Sequence, residues 1–347
     1  MKYLPDQVVA RLQTEMQTPD LSGTRYRAQR FLGRGGMGAV WLAEDSILHR
    51  AVALKVLAAE DTSADLAARL MQEAVILARL EHPGIVPVHD AGTLPDGRTF
   101  YCMKYVEGQT LDRFVGQRPL RQRVQLFQRI TEPLAFAHSR GVIHRDLKPS
   151  NIMVGAFGEV LIMDWGLAKV LRGASPVVAK AAAPANEAGA SSAEPAEPVS
   201  STATTAPGSG AATTAHGAVL GTPGYMSPEQ ERGDVDLIDQ RTDVFALGSI
   251  LQSMLQVKPG APRGESASRA LRAICRKAMA AEMPARYSSV QELAADVARY
   301  LEGMPVSAYR ENIVERTVRL VKRNRVAVAL VLAYLLMRML FILFSRR

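Results

Sequence analysis

Between Tyr26 and Tyr105 the apolar positions fall in short runs, "YRAQRFLG", "AVWLAED" and "AVALKVL", rich in β-branched and aromatic residues and bounded by Gly and acids. That pattern predicts strands. One segment among them, "SADLAARLMQEAVILARLEH", repeats its apolar residues at three- and four-residue spacing and predicts a helix. From Gly108 onward the helical period dominates, in "LRQRVQLFQRITEPLAFAHSRG", "TDVFALGSILQSML", "ALRAICRKAMA" and "VQELAADVARYLEG". A small β lobe followed by a larger α lobe is an α+β, bilobal architecture with a cleft between the lobes. No internal repeat is present.

Two stretches depart from this pattern. In residues 172–217, 36 of 46 positions are Ala, Gly, Pro, Ser or Thr, with no aromatic residue and three valines. So little apolar area cannot offset a backbone ordering cost of about 1–2 kcal/mol per residue, so the segment is expected to be disordered. Near the end, "VAVALVLAYLLMRMLFILF" (326–344) is apolar over a length that, as a helix, rises about 28 Å. That approaches the thickness of a bilayer core and predicts a transmembrane helix, with Arg338 near enough to one end to snorkel. The preceding "VKRNR" puts positive charge on the N-terminal side, so the body is expected in the cytoplasm, at a cell inner membrane, with membrane lipid as a partner of the C-terminal helix.

Charge sharpens this division. The chain has 42 Lys and Arg against 34 Asp and Glu, a net charge of +8. Residues 303–347 hold nine of the bases and two of the acids, leaving 33 bases and 32 acids in residues 1–302. A neutral body argues against nucleic acid as a partner. "MKYLPDQVVARLQTEMQ" lacks the apolar core of a signal peptide, and two cysteines, Cys102 and Cys275, make no disulfide framework. The expected division is an N-terminal extension (1–24), a catalytic domain (25–302) containing the 172–217 insert, a basic juxtamembrane segment (303–325) and the 326–344 helix.

The candidate chemistry lies in the body. "LGRGGMGAVWLAED" places Gly33, Gly35 and Gly38 as G-x-G-x-x-G between two strand-like runs, describing a hairpin whose backbone N–H groups can approach phosphates. Lys55, in the apolar "VALK", is costly to bury unpaired, and Glu73 on the inward side of the following helix is its expected partner. "VIHRDLKPSNIMV" gathers His144, Arg145, Asp146, Lys148 and Asn151, and Asp164 follows in "IMDWG". Asn151 and Asp164 are hard oxygen donors suited to Mg²⁺ held jointly with phosphates, which leaves Asp146 to accept a hydroxyl proton.

The motif set "GRGGMG", "VALK", Glu73, "HRDLKPSN", "DWG", "GTPGYMSPEQ", "TDVFALG" and "PARYSSVQEL" resembles that of eukaryotic-type (Hanks-type) serine/threonine protein kinases of the bacterial membrane-anchored group, over about Tyr26 to Leu301. The resemblance implies the kinase fold, ATP with Mg²⁺ or Mn²⁺, and protein substrates bearing Ser or Thr. It places ATP against Leu32, Gly33, Gly35, Gly36, Gly38, Val40, Ala53, Lys55, the gatekeeper Met103 and hinge residue Val106. It gives catalytic roles to Lys55, Glu73, Asp146 and Lys148 and metal-binding roles to Asn151 and Asp164. It pairs Glu229 with Arg286, sets Asp243 beneath the catalytic loop, and makes Arg145 the partner of a phosphate on the loop. The disorder of the insert and a membrane anchor would favour addition of that phosphate in trans, by a transient homodimer; the alternative is that the insert is a passive spacer. Thr213 and Thr214 are the candidate acceptors. Trp165 stands where the family usually has Phe, "SPE" where it usually has "APE", and the stretch before "SRALRAICRKAM" is short. A pseudokinase scaffold would lack Lys55, Asp146 or Asp164; all three are present.

Overall fold

The computed structural model describes residues 18–35, 38–58, 63–116, 118–170, 224–256, 268–313, 315–317 and 324–345. Gly36, the 172–217 insert with Thr213 and Thr214, Thr222, and most of the expected N-terminal extension lie outside these residues.

Strands β1 (Tyr26–Gly35), β2 (Gly38–Asp45) and β3 (Arg50–Val56) form an antiparallel meander, followed by helix α1 (Ala64–Arg79) and strands β4 (Val88–Thr93) and β5 (Thr99–Lys104). The five strands make one sheet in the order β1-β2-β3-β5-β4. Alternation along the strands gives the sheet two distinct faces. Trp41, Val52, Leu54, Val56, Phe100 and Cys102 form a small core of their own on one face. Ala53, Tyr101 and Met103 point the other way, into a core that continues through the helical lobe. Helix α1 covers that second face with Leu70, Glu73, Ala74, Ile76 and Leu77, and its start is capped by the Ser63 hydroxyl, which accepts from the Leu66 N–H.

The second lobe contains β6 (Gly108–Thr110), α2 (Leu111–Phe114), α3 (Leu120–Ser139), β7 (Val142–Ile143), β8 (Ile152–Gly155), β9 (Val160–Ile162), β10 (Lys169–Val170), α4 (Pro228–Glu231), α5 (Gln240–Leu255), α6 (Arg269–Ala278) and α7 (Val290–Leu301). Helices α3, α6 and α7 bury one apolar stripe each against a common core, and α5, which they surround, is buried on nearly every side. A Cβ at Gly248 of α5 would stand 2.7 Å from that of Ala278, so glycine allows α6 this close. The lobes are stitched by the Ile162 N–H, which donates to the Gly84 carbonyl at 2.8 Å. Packing continues past residue 302: Val306 is buried, and the Ser307 and Ala308 N–H groups donate to Asp296.

Helix α8 spans Arg325–Ser345, with exposed apolar side chains from Val326 to Phe341. The expected membrane span is therefore realised as a helix only. Among the described residues no helix is long and apolar enough to cross a membrane. Several of the apolar side chains that would complete the stretch, at 327, 340 and 342–344, fall outside the description.

Candidate active site

Sheet register decides what faces the cleft. Lys55 stands opposite Val40 on one side and Tyr101 on the other, and Ala53 opposite Met103. These residues share a face by period-two alternation, so a one-residue slip would send Lys55 into the opposite core. The lysine Nζ donates to both Glu73 oxygens, at 2.9 and 2.8 Å, and to Asp164 Oδ1 at 2.9 Å. Burial opposes the ammonium charge, but Glu73 and Asp164 outweigh it and hold the lysine above its ordinary pKa. For Glu73, burial pushes the carboxyl up while Lys55 and the Tyr101 hydroxyl draw it back. That hydroxyl donates to Glu73 Oε1 at 3.0 Å. Tyr101 was not among the residues the sequence pointed to. Its position two residues before Met103 on one strand was the available signal.

The glycine hairpin lies above this group. A Cβ on Gly38 would collide with the Val56 carbonyl, so the backbone at that position requires glycine. A Cβ on Gly33 would meet nothing within 4 Å, which leaves open space beside the β1 backbone.

Between β7 and β8 the chain turns through residues 144–151. Its shape is imposed from below by Asp243 on α5, whose Oδ2 accepts from the His144 N–H at 2.8 Å and whose Oδ1 accepts from the Arg145 N–H at 2.9 Å. His138 Nε2 lies 2.7 Å from the same carboxylate. Burial would raise the Asp243 pKa, but His138 and His144, the latter through its backbone N–H as well, overcome this and lower it. On the loop, Lys148 Nζ donates to Asp146 Oδ2 at 2.8 Å. Asn151 Nδ2 donates to the Asp146 carbonyl at 2.8 Å and to Oδ2 at 3.2 Å, which leaves its side-chain carbonyl as the remaining polar atom.

Arg145 and Asp164 both adopt left-handed backbone conformations, with φ of 70° and 57°. Such positions cost roughly 1–3 kcal/mol each and persist where surrounding bonds over-determine them. Around Asp164 the neighbouring residue is held at both ends: the Met163 N–H donates to the Asn151 carbonyl at 2.8 Å, and His144 Nε2 is 2.9 Å from the Met163 carbonyl. On the other side Trp165 is 1% exposed, its ring 4.7 Å from that of His144. The Trp165 ring N–H points at the Ile162 carbonyl, 3.5 Å away. The outcome is a carboxylate, 38% exposed, presented next to Asn151, with a pKa that burial would raise and Lys55 lowers. Among the described residues no group of three or more His, Cys, Asp or Glu could hold a metal by itself. Asp164 and Asn151 fit a hard cation whose remaining ligands come from phosphate and water.

Arg145 Nε is buried and has no hydrogen-bond partner among the described residues. Burial depresses its pKa. Its carbonyl accepts from Gln230 Nε2 at 2.6 Å, a support from α4 that the sequence did not suggest.

Residues 26–188 match the protein kinase domain family. The chain is 34% identical over 318 residues to the serine/threonine-protein kinase PknD of Chlamydia felis, covering 81% of this chain and 31% of that protein. It is 34% identical over 323 residues to the serine/threonine-protein kinase PknB of Mycobacterium leprae, covering 84% of this chain and 46% of that protein. The chain therefore spans less than half the length of these curated relatives. The crystal structure of the PknI kinase domain of Mycobacterium tuberculosis shares the fold at a TM-score of 0.52 and 23% identity, covering 81% of this chain and 98% of that one. The two lobes, the cleft group and these likenesses agree: the chain carries a protein kinase domain of the bacterial Hanks-type serine/threonine family.

Proposed function

We propose that this chain is a catalytically active serine/threonine kinase that transfers the γ-phosphoryl group of ATP to Ser and Thr hydroxyls of proteins, its own included. The observation that carries the reading is the convergence of Lys55, Glu73 and Asp164 within hydrogen-bond distance across 109 residues of sequence. The adenine end of ATP would lie against Leu32, Val40, Ala53, Met103 and Val106, and its phosphates under the Gly33–Gly38 hairpin. Glu73 orients Lys55 so that its ammonium meets the α- and β-phosphates. The substrate hydroxyl oxygen bonds to the γ-phosphorus as the bond to the β–γ bridging oxygen breaks. Asp146 takes the hydroxyl proton, and Lys148, 2.8 Å away, offsets negative charge beside it. Asn151 and Asp164 would hold Mg²⁺ or Mn²⁺, which when bound neutralises charge on the phosphates.

Arg145 supports a regulatory reading. A half-buried guanidinium whose buried Nε has no hydrogen-bond partner among the described residues favours a phosphate on the adjoining loop, and Thr213 and Thr214 are the acceptors we propose, modified in trans by a second copy. For α8 we propose a membrane anchor: its 21 residues rise about 31 Å, and Leu330, Leu335 and Phe341 are exposed. The kinase domain would then lie on the cytoplasmic side.

Incubating the purified chain with labelled ATP and Mg²⁺ tests the catalytic reading. Phosphoserine and phosphothreonine are expected in the wild type and absent in Asp164→Ala. Equal label in both, or phosphotyrosine as the main product, would overturn it. Recovery of the intact chain in the supernatant after alkaline carbonate treatment of membranes would overturn the anchor.

A further inference from the structure

Arg269, Arg272 and Arg276 of α6, with Tyr309, line a cavity of about 350 Å³ that shares no residue with the cleft group. Their spacing of three and four residues puts the arginines within about 60° of one another on the helix, over a rise of about 10 Å. The opposite side of α6 buries Leu271, Ile274, Cys275 and Ala278, which fixes the direction in which the arginines point. Like charges at this spacing repel, so the helix bears a small cost for carrying them together. Among the described residues only Arg269 has a carboxylate: its Nη1 donates to Glu315 Oε1 at 3.1 Å, and the Tyr309 hydroxyl donates to the same group at 2.8 Å. Arg272 and Arg276 are exposed, and their side chains have no ion-pair or hydrogen-bond partner among the described residues. The cavity wall is firm. Tyr309 follows Ser307 and Ala308, both bonded to buried Asp296, and Lys277 donates to the Ser307 hydroxyl at 3.3 Å.

We propose that this cavity is a binding site for a phosphate group, as a monoester or a diester. Arg272 and Arg276 would grip it, and Arg269 would be shared between the ligand and Glu315. Three guanidinium groups against one carboxylate leave a surplus of positive charge, and their planar forks match phosphate oxygens. The volume suits a small molecule and is too small for a folded partner. The phosphate can come from a lipid headgroup, since Tyr309 and Glu315 belong to the segment leading to α8, or from a soluble phosphate ester. The inference does not depend on phosphoryl transfer in the cleft.

Full-length protein in uncharged maltoside micelles would be titrated calorimetrically with dihexanoyl phosphatidylglycerol and, separately, with glycerol 3-phosphate. One site per chain is expected for at least one of them, and the tighter of the two identifies the source. Arg272→Gln combined with Arg276→Gln is expected to weaken binding by about tenfold or more, as losing charge-assisted hydrogen bonds does. Glu315→Gln is expected to tighten it by freeing Arg269. In the unaltered protein the ligand should slow amide exchange in α6 and around Tyr309, a reading that needs no variant to fold. No binding of either probe, unchanged affinity in the double variant, or equal affinity for a phosphate-free polyglutamate peptide would overturn the proposal.

Discussion

Two buried ion pairs of equal length hold different parts of this fold, and they end differently. Arg286 gives all five of its N–H donors to protein acceptors: Glu229 Oε1 and Oε2 at 2.8 Å, and the carbonyls of Ala280, Ala281 and Arg241. Glu229 in turn accepts from the Thr242 hydroxyl at 3.0 Å. Lys55 also uses its three donors, but the third goes to Asp164, a carboxylate on another lobe that is 38% exposed to the cleft. The first network is closed inside the protein. The second leaves one partner that a ligand can exchange. A buried charge pair is weak ground for stability in general, yet removing one member of a closed pair strands the other. The completeness of the bonding, and not the distance, separates a structural pair from a working one.

Four experiments test that difference, beginning with the largest effect. Asp146→Asn, beside the open network, should lower phosphorylation by about 10²–10⁴-fold in a radiolabel assay while leaving the melting temperature nearly unchanged. Arg286→Met should do the reverse. Stranding Glu229 should remove about 3–5 kcal/mol of stability, read as a lower urea midpoint. If Arg286→Met melted like wild type and Asp146→Asn unfolded, the contrast would be reversed.

Acid titration probes the closed pair alone. Burial raises the Glu229 pKa, but the Arg286 hydrogen bonds outweigh it and bring the carboxyl from its ordinary 4.5 down to about 2. A depressed carboxyl contributes stability that is complete above its unfolded pKa and is lost as pH falls through the folded one. Urea midpoints of the wild type should therefore drop between about pH 4.5 and pH 2, and those of Glu229→Gln should drop less over the same window. The smallest effect belongs to Tyr101→Phe, which deletes one bond to Glu73 and leaves Lys55 in place. A loss of about 0.5–1.5 kcal/mol and a modest rise in KM for ATP are expected. An unchanged KM would mean that Lys55 alone fixes Glu73.

The elements were largely legible. The helices over Ala64–Arg79, Leu120–Ser139, Arg269–Ala278 and Val290–Leu301 follow the apolar period of the sequence, because each buries one stripe, whereas Gln240–Leu255 is buried nearly all round. Lys55 and Glu73 were legible as a pair because a lysine in an apolar strand needs a counter-charge. Tyr101, Gln230 and His138 were not. Tyr and His are common core residues, and their partners lie 28, 85 and 105 positions away, where no local pattern reaches. The 326–344 run specified a helix, but whether it lies in a bilayer depends on surroundings that the periodicity does not encode.

By itself the sequence determined strand alternation, helix period, the donor types at Asn151, Asp164 and Asp146, and the neutral body with its basic tail. These are properties of neighbouring residues, and local sterics and hydrophobicity suffice to set them. Tertiary structure alone decided the left-handed turn at Asp164, held by Asn151 and His144 through Met163. It alone also gathered three arginines and Tyr309 around one cavity and left Arg145 Nε buried without a partner among the described residues. Each of these needs segments far apart in the chain to meet at fixed orientation, and only the packed cores of the two lobes supply the energy to hold them there.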